Sequence, residues 1–330
     1  MFKGEKVYIG EREVKYLFQK SYKPTNSLVI IFSAFPTKGK KPSYNFVRTL
    51  AEFDCNKLFI LDDFGSRASY YLCEKRDFSI ERSVISLISK IAEENEIKTF
   101  ISCGSSKGGY SALYYGIKYG FDHIIAASPQ YYLGDYLLEQ TNSEDVTHFM
   151  SGASHEEDHL FLNEIMSRMI SATRNKPDIF IHLGDREPHY ENHVKPLLSL
   201  LDTRDMRYQL DLGSYSQHSD VAKFFPDILK GKIRELLHYP LLKVTQTVEG
   251  EAGKGAECTF HAETDSASNQ IAWYLYHDKK RIQMINYSLN KSFSAKLEQA
   301  GTYQAKAFTI NEKNNKVSCV SKAILVKRNR

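Results

Sequence analysis

No stretch of this 330-residue chain comes near the roughly 20 consecutive apolar residues that cross a bilayer as a helix. A spanning helix is therefore not expected. Charge of one sign is also lacking. Lys and Arg number 44 against 40 Asp and Glu, a net +4 spread along the chain, so composition makes no case for nucleic-acid binding. The basic end, Lys327-Arg328-Asn329-Arg330, reads as a solvated tail. The opening MFKGEKVYIGEREVKYLF carries charges every few residues and has no apolar core of the signal-peptide kind. Cysteine is sparse and odd in number: Cys55, Cys73, Cys103, Cys258 and Cys319. Their spacing fits no metal site, and they read as free thiols in a reducing compartment. A cytoplasmic protein without a bound metal is expected. Tryptophan occurs once, at Trp273, whereas tyrosine is plentiful at 21 residues. That abundance suits either stacking on sugars or aromatic packing.

Up to about residue 238, strand-like and helix-like runs alternate. Strands are expected at 6–11, 13–19, 27–33, 57–62, 98–103, 123–127, 178–183 and 207–212. The runs LVIIF, LFIL, TFIS and IFIHL are apolar without alternation, the mark of strands covered on both faces in a parallel sheet. Residues 81–94 place Val84, Ile85, Leu87, Ile88 and Ile91 at helical spacing. Further helices are expected at 107–119, 193–201 and 221–237. The layout is α/β, a doubly wound sheet. Residues 133–171 interrupt it and are too long for a plain connection; they read as a cap inserted over the carboxyl edge of the sheet. From Tyr239-Pro240 the texture changes to short strands between turns. About seven strands in about 90 residues, with Trp273 in the third and Ala300-Gly301-Thr302-Tyr303 resembling a tyrosine corner, point to an immunoglobulin-like β-sandwich. Ala305 stands where a secreted immunoglobulin domain has its second cysteine, so Cys258 lacks that partner. Two domains follow, 1–238 and 239–330.

The stretch KTFISCGSSKGGYSALYYG carries the chemistry. Gly104-Ser105-Ser106-Lys107-Gly108 satisfies G-x-S-x-G between an apolar strand and a helix. In that motif the serine sits on a tight, strained turn that lifts its hydroxyl above the sheet, and small neighbours are obligatory. The amide of Lys107 then lies at a helix N-terminus, where developing negative charge is favoured. A serine needs a base, and the base an orienting acid, in the order Ser, Asp or Glu, His. Strand PDIFIHLG runs into Asp185, and RYQLDLG runs towards His218. The expected triad is Ser106, Asp185 and His218, with Glu187 as the rival to Asp185. His182, His189 and His193 read as packing or surface residues. His155 and His159 have a helical metal spacing beside Glu156, Glu157 and Asp158, but a solvated cap helix is the plainer reading. The oxyanion donors expected are the amides of Lys107 and of Ala34 or Phe35. Arg67, Gln130 and Tyr131 lie in loops reaching the same edge and are candidate substrate contacts.

SLVIIFSAF, LDDFGSRASYYL, GSSKGGYSALYYG, AASPQYYLGDY and the late GD…H pattern resemble the serine α/β-hydrolase domains of XcbB/CpsF-type capsular polysaccharide biosynthesis proteins. More distantly they resemble bacterial capsule and accessory-secretion O-acetyltransferases. The resemblance covers about 25–235, and the part from 240 resembles a small triple-tyrosine immunoglobulin-like module. The resemblance implies an esterase or O-acyltransferase acting on a surface or capsular polysaccharide, with Ser106, Asp185 and His218 in the matching roles. No bound cofactor is expected; an acyl donor such as acetyl-CoA is the candidate co-substrate. The cap at 133–171 has no counterpart in that pattern. The C-terminal part is expected either to pack on the catalytic part or to mediate homo-oligomerisation. The competing reading is a non-catalytic glycan- or partner-binding protein on a hydrolase scaffold.

Overall fold

The computed structural model describes residues 2–36, 39–249 and 255–327. The last three residues of the basic tail lie outside that range. The chain divides into two compact units, Met1–Thr49 with Cys55–Lys230, and Leu50–Asp54 with Gly231–Arg330.

The first unit is built on an eight-stranded sheet: β1 (Lys6–Ile9), β2 (Glu13–Gln19), β3 (Ser27–Phe32), β4 (Asn56–Ile60), β5 (Thr99–Ser105), β6 (His123–Ala127), β7 (Asp178–Gly184) and β8 (Tyr208–Gly213). Their order is β1-β2-β4-β3-β5-β6-β7-β8. β1 and β2 pair antiparallel, β2 joins β4 antiparallel, and every later pairing is parallel. The apolar runs explain the centre. Leu28 to Phe32, Leu58 to Ile60, Ile101, Cys103 and Ile124 to Ala127 are buried, because helices cover both faces. Helix α1 (Ser79–Glu94) buries Val84, Leu87, Ile88 and Ile91 on one stripe. Helix α2 (Lys107–Tyr119) is buried along nearly its whole length. α6 (Lys195–Thr203) and α7 (Val221–Leu236) complete the layers.

The interruption after β6 is helical. It comprises a short α3 (Leu133–Asp135), a π-helical turn (Tyr136–Gln140), α4 (Glu144–Ser151) and α5 (Glu156–Ala172). Parallel strands send all their following loops to one edge. Residues 33–36, Ser106, 128–132, Glu187 and His218 therefore gather at the carboxyl edge, where open α/β sheets bind ligands.

The second unit contains two antiparallel sheets. One is β13-β10-β9 and the other β12-β11-β14-β15, with β16 added on β14. The strands are β9 (Lys243–Val248), β10 (Ala256–Glu263), β11 (Gln270–His277), β12 (Lys280–Ser288), β13 (Ser292–Leu297), β14 (Gly301–Ile310), β15 (Lys316–Val320) and β16 (Ile324–Val326). Trp273 of one sheet meets Phe260 and Phe293 of the other, with ring centroids 6.4 and 6.1 Å away. The Tyr303 hydroxyl accepts the Gln299 amide at 3.1 Å, a link back over four residues. The division between units falls inside α7 rather than at Tyr239. The last turns of that helix and Tyr239 engage residues 50–54: the Tyr239 hydroxyl donates to the Asp54 carbonyl at 2.6 Å, and its ring meets Phe53 edge-on.

Candidate active site

The turn from β5 to α2 is strained in the way G-x-S-x-G demands. Ser106 has φ 53° and ψ −120°, a left-handed backbone that side chains rarely adopt. Close approach holds it there. A Cβ on Gly104 would stand 2.3 Å from the Gly108 carbonyl oxygen, and one on Gly108 would stand 2.4 Å from that of Phe32. Only glycine lets α2 start this close to β3 and β5. The Ser106 amide donates to the Ala127 carbonyl at 2.8 Å, which ties the elbow to β6.

Across the edge, His218 Nε2 lies 2.9 Å from Ser106 Oγ. His218 Nδ1 lies 2.5 Å from Glu187 Oε1. Glu187 is buried, and its other oxygen accepts the Ser128 hydroxyl at 2.8 Å and the Gly184 amide at 3.2 Å. A carboxylate with both oxygens engaged can hold the imidazole through Nδ1 and so keep Nε2 turned to the serine hydroxyl.

The acid behind the imidazole is thus Glu187, and the expectation of Asp185 is corrected. The backbone of Asp185 continues the β7–β8 pairing by donating to the Gly213 carbonyl. Its side chain points outward, 43 % exposed, with Arg186 at 3.4 Å. The chain turns only after it, where the Glu187 amide bonds back to the Gly184 carbonyl at 3.2 Å. That turn carries the second acidic residue, not the first, beneath His218.

No family model matches the chain, and no curated protein matches it. Solved structures do. The capsule O-acetyltransferase of Neisseria meningitidis serogroup A, as a histidine-to-alanine mutant in complex with CoA, aligns with a TM-score of 0.61 at 22 % identity, over 70 % of this chain and 96 % of that one. The fluorophosphonate-binding serine hydrolase FphF of Staphylococcus aureus aligns at 0.53 and 13 % identity, over 71 % and 97 %. A chain of the Glycosylation Associate Protein complex of Streptococcus agalactiae aligns at 0.60 and 16 % identity, over 71 % of this chain but 46 % of that one. Over 70–71 % of its length this chain shares a fold with these proteins, in the third case with less than half of that protein.

The other expected contacts separate on this frame. Lys107 opens α2, so its amide has no acceptor within the helix and stands beside Ser106. The Ala34 amide donates to Asn45 Oδ1 at 2.8 Å, which removes it as an oxyanion donor and leaves Phe35 as the candidate of the two. Arg67 does not wait for a substrate. It pairs in bidentate fashion with Asp145 at 3.1 Å, donates to Ser143 at 2.7 Å, and lies 4.7 Å over the Phe35 ring. It fastens α4 to the loop after β4, and its hydrogen bonds hold the Asp145 carboxyl below the usual range. Tyr131 is buried against Tyr132, with ring centroids 4.7 Å apart, and belongs to the core. Gln130 reaches Ser106 itself, with Nε2 3.1 Å from Ser106 Oγ.

Several participants were not legible as such. Tyr136, from the cap, has its phenol raised by burial, opposed by hydrogen bonding to Ser106. His189 is buried and stacked on His218. His193 is also buried; its Nδ1 faces the amides of Tyr131 and Tyr132 at 3.3 Å each, so it shapes the loop after β6. His182 packs as expected, with Asp211 at 2.7 Å and the Tyr215 hydroxyl at 3.2 Å. His159 faces Asp135 at 2.7 Å rather than His155, which instead caps α5.

Beneath the elbow lies a buried charge pair. Lys107 Nζ donates to Asp62 Oδ2 at 2.8 Å, with both side chains fully buried, and sits 4.3 Å above the Tyr71 ring. Asp62 also accepts the Ser69 amide and hydroxyl at 2.9 and 3.0 Å. Burial lowers the Lys107 ammonium from its ordinary value, and Asp62 opposes that shift. The Tyr71 hydroxyl donates to the Ile60 carbonyl at 2.9 Å and receives the Ser33 amide at 2.8 Å. One polar cluster thus braces the start of α2 and the loop that carries Phe35.

Proposed function

We propose that this protein is a serine-dependent acyl-transfer enzyme, an O-acetyltransferase or esterase, that acts on a bacterial surface or capsular polysaccharide through an acyl-enzyme on Ser106. The hydrogen-bonded line from Glu187 through His218 to Ser106, at 2.5 and 2.9 Å, carries the reading. Ser106 Oγ attacks the acyl carbonyl as its proton passes to His218 Nε2. Glu187 holds the ring and offsets the charge of the imidazolium. The amides of Lys107 and Phe35 receive the oxyanion. His218 returns the proton to the departing group, and a sugar hydroxyl then takes the acyl group from Ser106 by the same steps in reverse order.

Acetyl-CoA is the proposed acyl donor, a co-substrate rather than a resident cofactor. The fold shared with a capsule O-acetyltransferase that binds CoA, together with the sequence resemblance to capsule-biosynthesis proteins, favours a glycan acceptor over a small alcohol. We place the reaction in the cytoplasm. The second unit we read as an immunoglobulin-like module; the Trp273 contacts across its two sheets and the Tyr303 link support that reading. Its proposed role is self-association or placement of the acceptor chain.

The test is acetyl transfer from acetyl-CoA and from para-nitrophenyl acetate, with and without candidate polysaccharides. Acetylated polysaccharide, lost in Ser106→Ala by about three or more orders of magnitude, supports transfer. Ester turnover that polysaccharide leaves unchanged makes the enzyme an esterase. Glycan binding without turnover of any ester overturns the enzymatic reading.

A further inference from the structure

Besides Tyr136, which hydrogen-bonds to Ser106, two neutral side chains outside the triad stand against Ser106 and His218. Gln130 is fully buried, and its Nε2 lies 3.1 Å from Ser106 Oγ and 3.2 Å from His189 Nε2. The His189 ring stacks on His218, with centroids 4.0 Å apart and planes 12° from parallel. His189 Nδ1 lies 3.6 Å from Glu187 Oε1, the oxygen that also holds His218 Nδ1. Burial pushes His189 down to about 2, and the neighbouring His218 and His193 add to the shift, so the ring is neutral at working pH. A neutral imidazole facing a carboxylate through Nδ1 carries its proton there and leaves Nε2 as an acceptor. One N–H of Gln130 then serves His189 Nε2 and the other serves Ser106 Oγ. The reverse amide orientation would set an oxygen against the lone pair of His189 Nε2. It would also draw the serine proton away from His218.

We propose that Gln130 is a catalytic hydrogen-bond donor to Ser106 Oγ that acts when this oxygen leaves, and that His189 is the residue that positions it. The proposal rests on the acyl-enzyme reading above. Gln130 lies after β6, and β3 and β6 flank the nucleophile strand β5 on opposite sides. The amide of Phe35 comes from the β3 side and serves the carbonyl oxygen, whereas Gln130 serves Oγ. In the second half-reaction the acceptor oxygen bonds to the acyl carbon while its proton passes to His218 Nε2. The tetrahedral species collapses when the bond between the acyl carbon and Oγ breaks. That electron pair returns to Oγ, which then takes the proton from His218. Negative charge develops on Oγ during this collapse, and an N–H already aimed at it lowers the barrier. In the first half-reaction the same N–H occupies a lone pair of the attacking oxygen. That opposes attack, while the fixed rotamer assists it. The donor therefore favours deacylation selectively.

The experiment is rapid mixing of the full chain with para-nitrophenyl acetate, where the burst rate reports acylation and the steady state reports deacylation. Gln130→Met keeps the side-chain length and removes both N–H groups. It should slow deacylation about 10- to 100-fold and change the burst rate by less than about 3-fold. His189→Phe keeps a stacked ring and removes the acceptor that orients Gln130; it should give a smaller loss of the same kind. Fluorophosphonate labelling of Ser106, which has no deacylation step, should proceed in both variants at near the wild-type rate. A Gln130→Met protein that loses burst, labelling and turnover together, or that deacylates at the wild-type rate, overturns the proposal and leaves the acyl-enzyme standing. A wild-type protein with neither burst nor adduct at Ser106 overturns the acyl-enzyme reading, and this proposal with it.

Discussion

Removing the Lys107 side chain without touching its backbone amide separates the scaffold beneath the site from the chemistry above it. Lys107→Met leaves Asp62 fully buried with no cation. Such a carboxylate takes up a proton rather than remain charged in that setting. At pH 7.4, protonating a carboxyl of ordinary value near 3.9 costs about 3.5 pH units, or roughly 5 kcal/mol. That agrees with the roughly 3–5 kcal/mol typical of breaking a buried pair from one side. The penalty should shrink by about 1.4 kcal/mol for each unit the pH is lowered, since the proton becomes easier to acquire. Between pH 7.4 and 5.4 the variant should therefore recover about 2.7 kcal/mol relative to wild type. Lys107→Met combined with Asp62→Asn keeps an oxygen for the Ser69 amide and removes the stranded charge, so it should be more stable than Lys107→Met alone. Urea unfolding checks this, followed by fluorophosphonate reactivity at Ser106 in the first unit, with Trp273 emission reporting on the second. A penalty below about 1 kcal/mol at pH 7.4, a penalty independent of pH, or a double variant no better than the single one would refute the reasoning.

Two further outcomes follow from the same geometry. Glu187→Gln should lower kcat about 10³- to 10⁴-fold by unsettling the imidazole tautomer, whereas Asp185→Asn should leave it within about 3-fold; steady-state ester hydrolysis distinguishes them, and the opposite ranking would restore Asp185 as the acid. His189 and His193 are pushed by burial to about 2 and about 4. An unfolded histidine binds its proton near 6.5, so the unfolded chain gains protons first as the pH falls. The stability these residues allow is complete above about pH 6.5 and is lost below it, by about 1.4 kcal/mol per pH unit for each residue, down to about pH 4 for His193 and lower for His189. Urea titrations at pH 7.5 and 5.5 measure that slope, and His193→Gln should flatten it.

Much of the framework could be read from the chain because the signals were local. Unbroken apolar runs marked β3, β4 and β7, helical spacing marked α1, and the glycines around Ser106 marked the elbow. His218 could be found because it follows a strand at the expected place in the order. What escaped depended on how loops fold back. Asp185 and Glu187 are two residues apart after the same strand, and only the bond from the Glu187 amide to the Gly184 carbonyl decides which reaches the imidazole. Ala34 looked like a free donor until Asn45, eleven positions later, folded onto its amide. Arg67 had the charge to meet a substrate, but Asp145 in the cap already holds it. His189 read as a packing or surface residue; it is packed, against the ring of His218. Gln130 could be assigned to this edge from its place after β6, but not its contact with Ser106 Oγ, and no pattern marks Tyr136, which lies inside the cap, as a neighbour of Ser106.

The central claim is that Ser106 is a nucleophile activated by His218. Intact mass and peptide mapping after brief exposure of the folded chain to a fluorophosphonate test it directly. The account predicts one adduct, on Ser106, absent in Ser106→Ala and formed far more slowly in His218→Ala. An unmodified Ser106 in folded wild-type protein, or labelling at equal speed without the His218 imidazole, would contradict it.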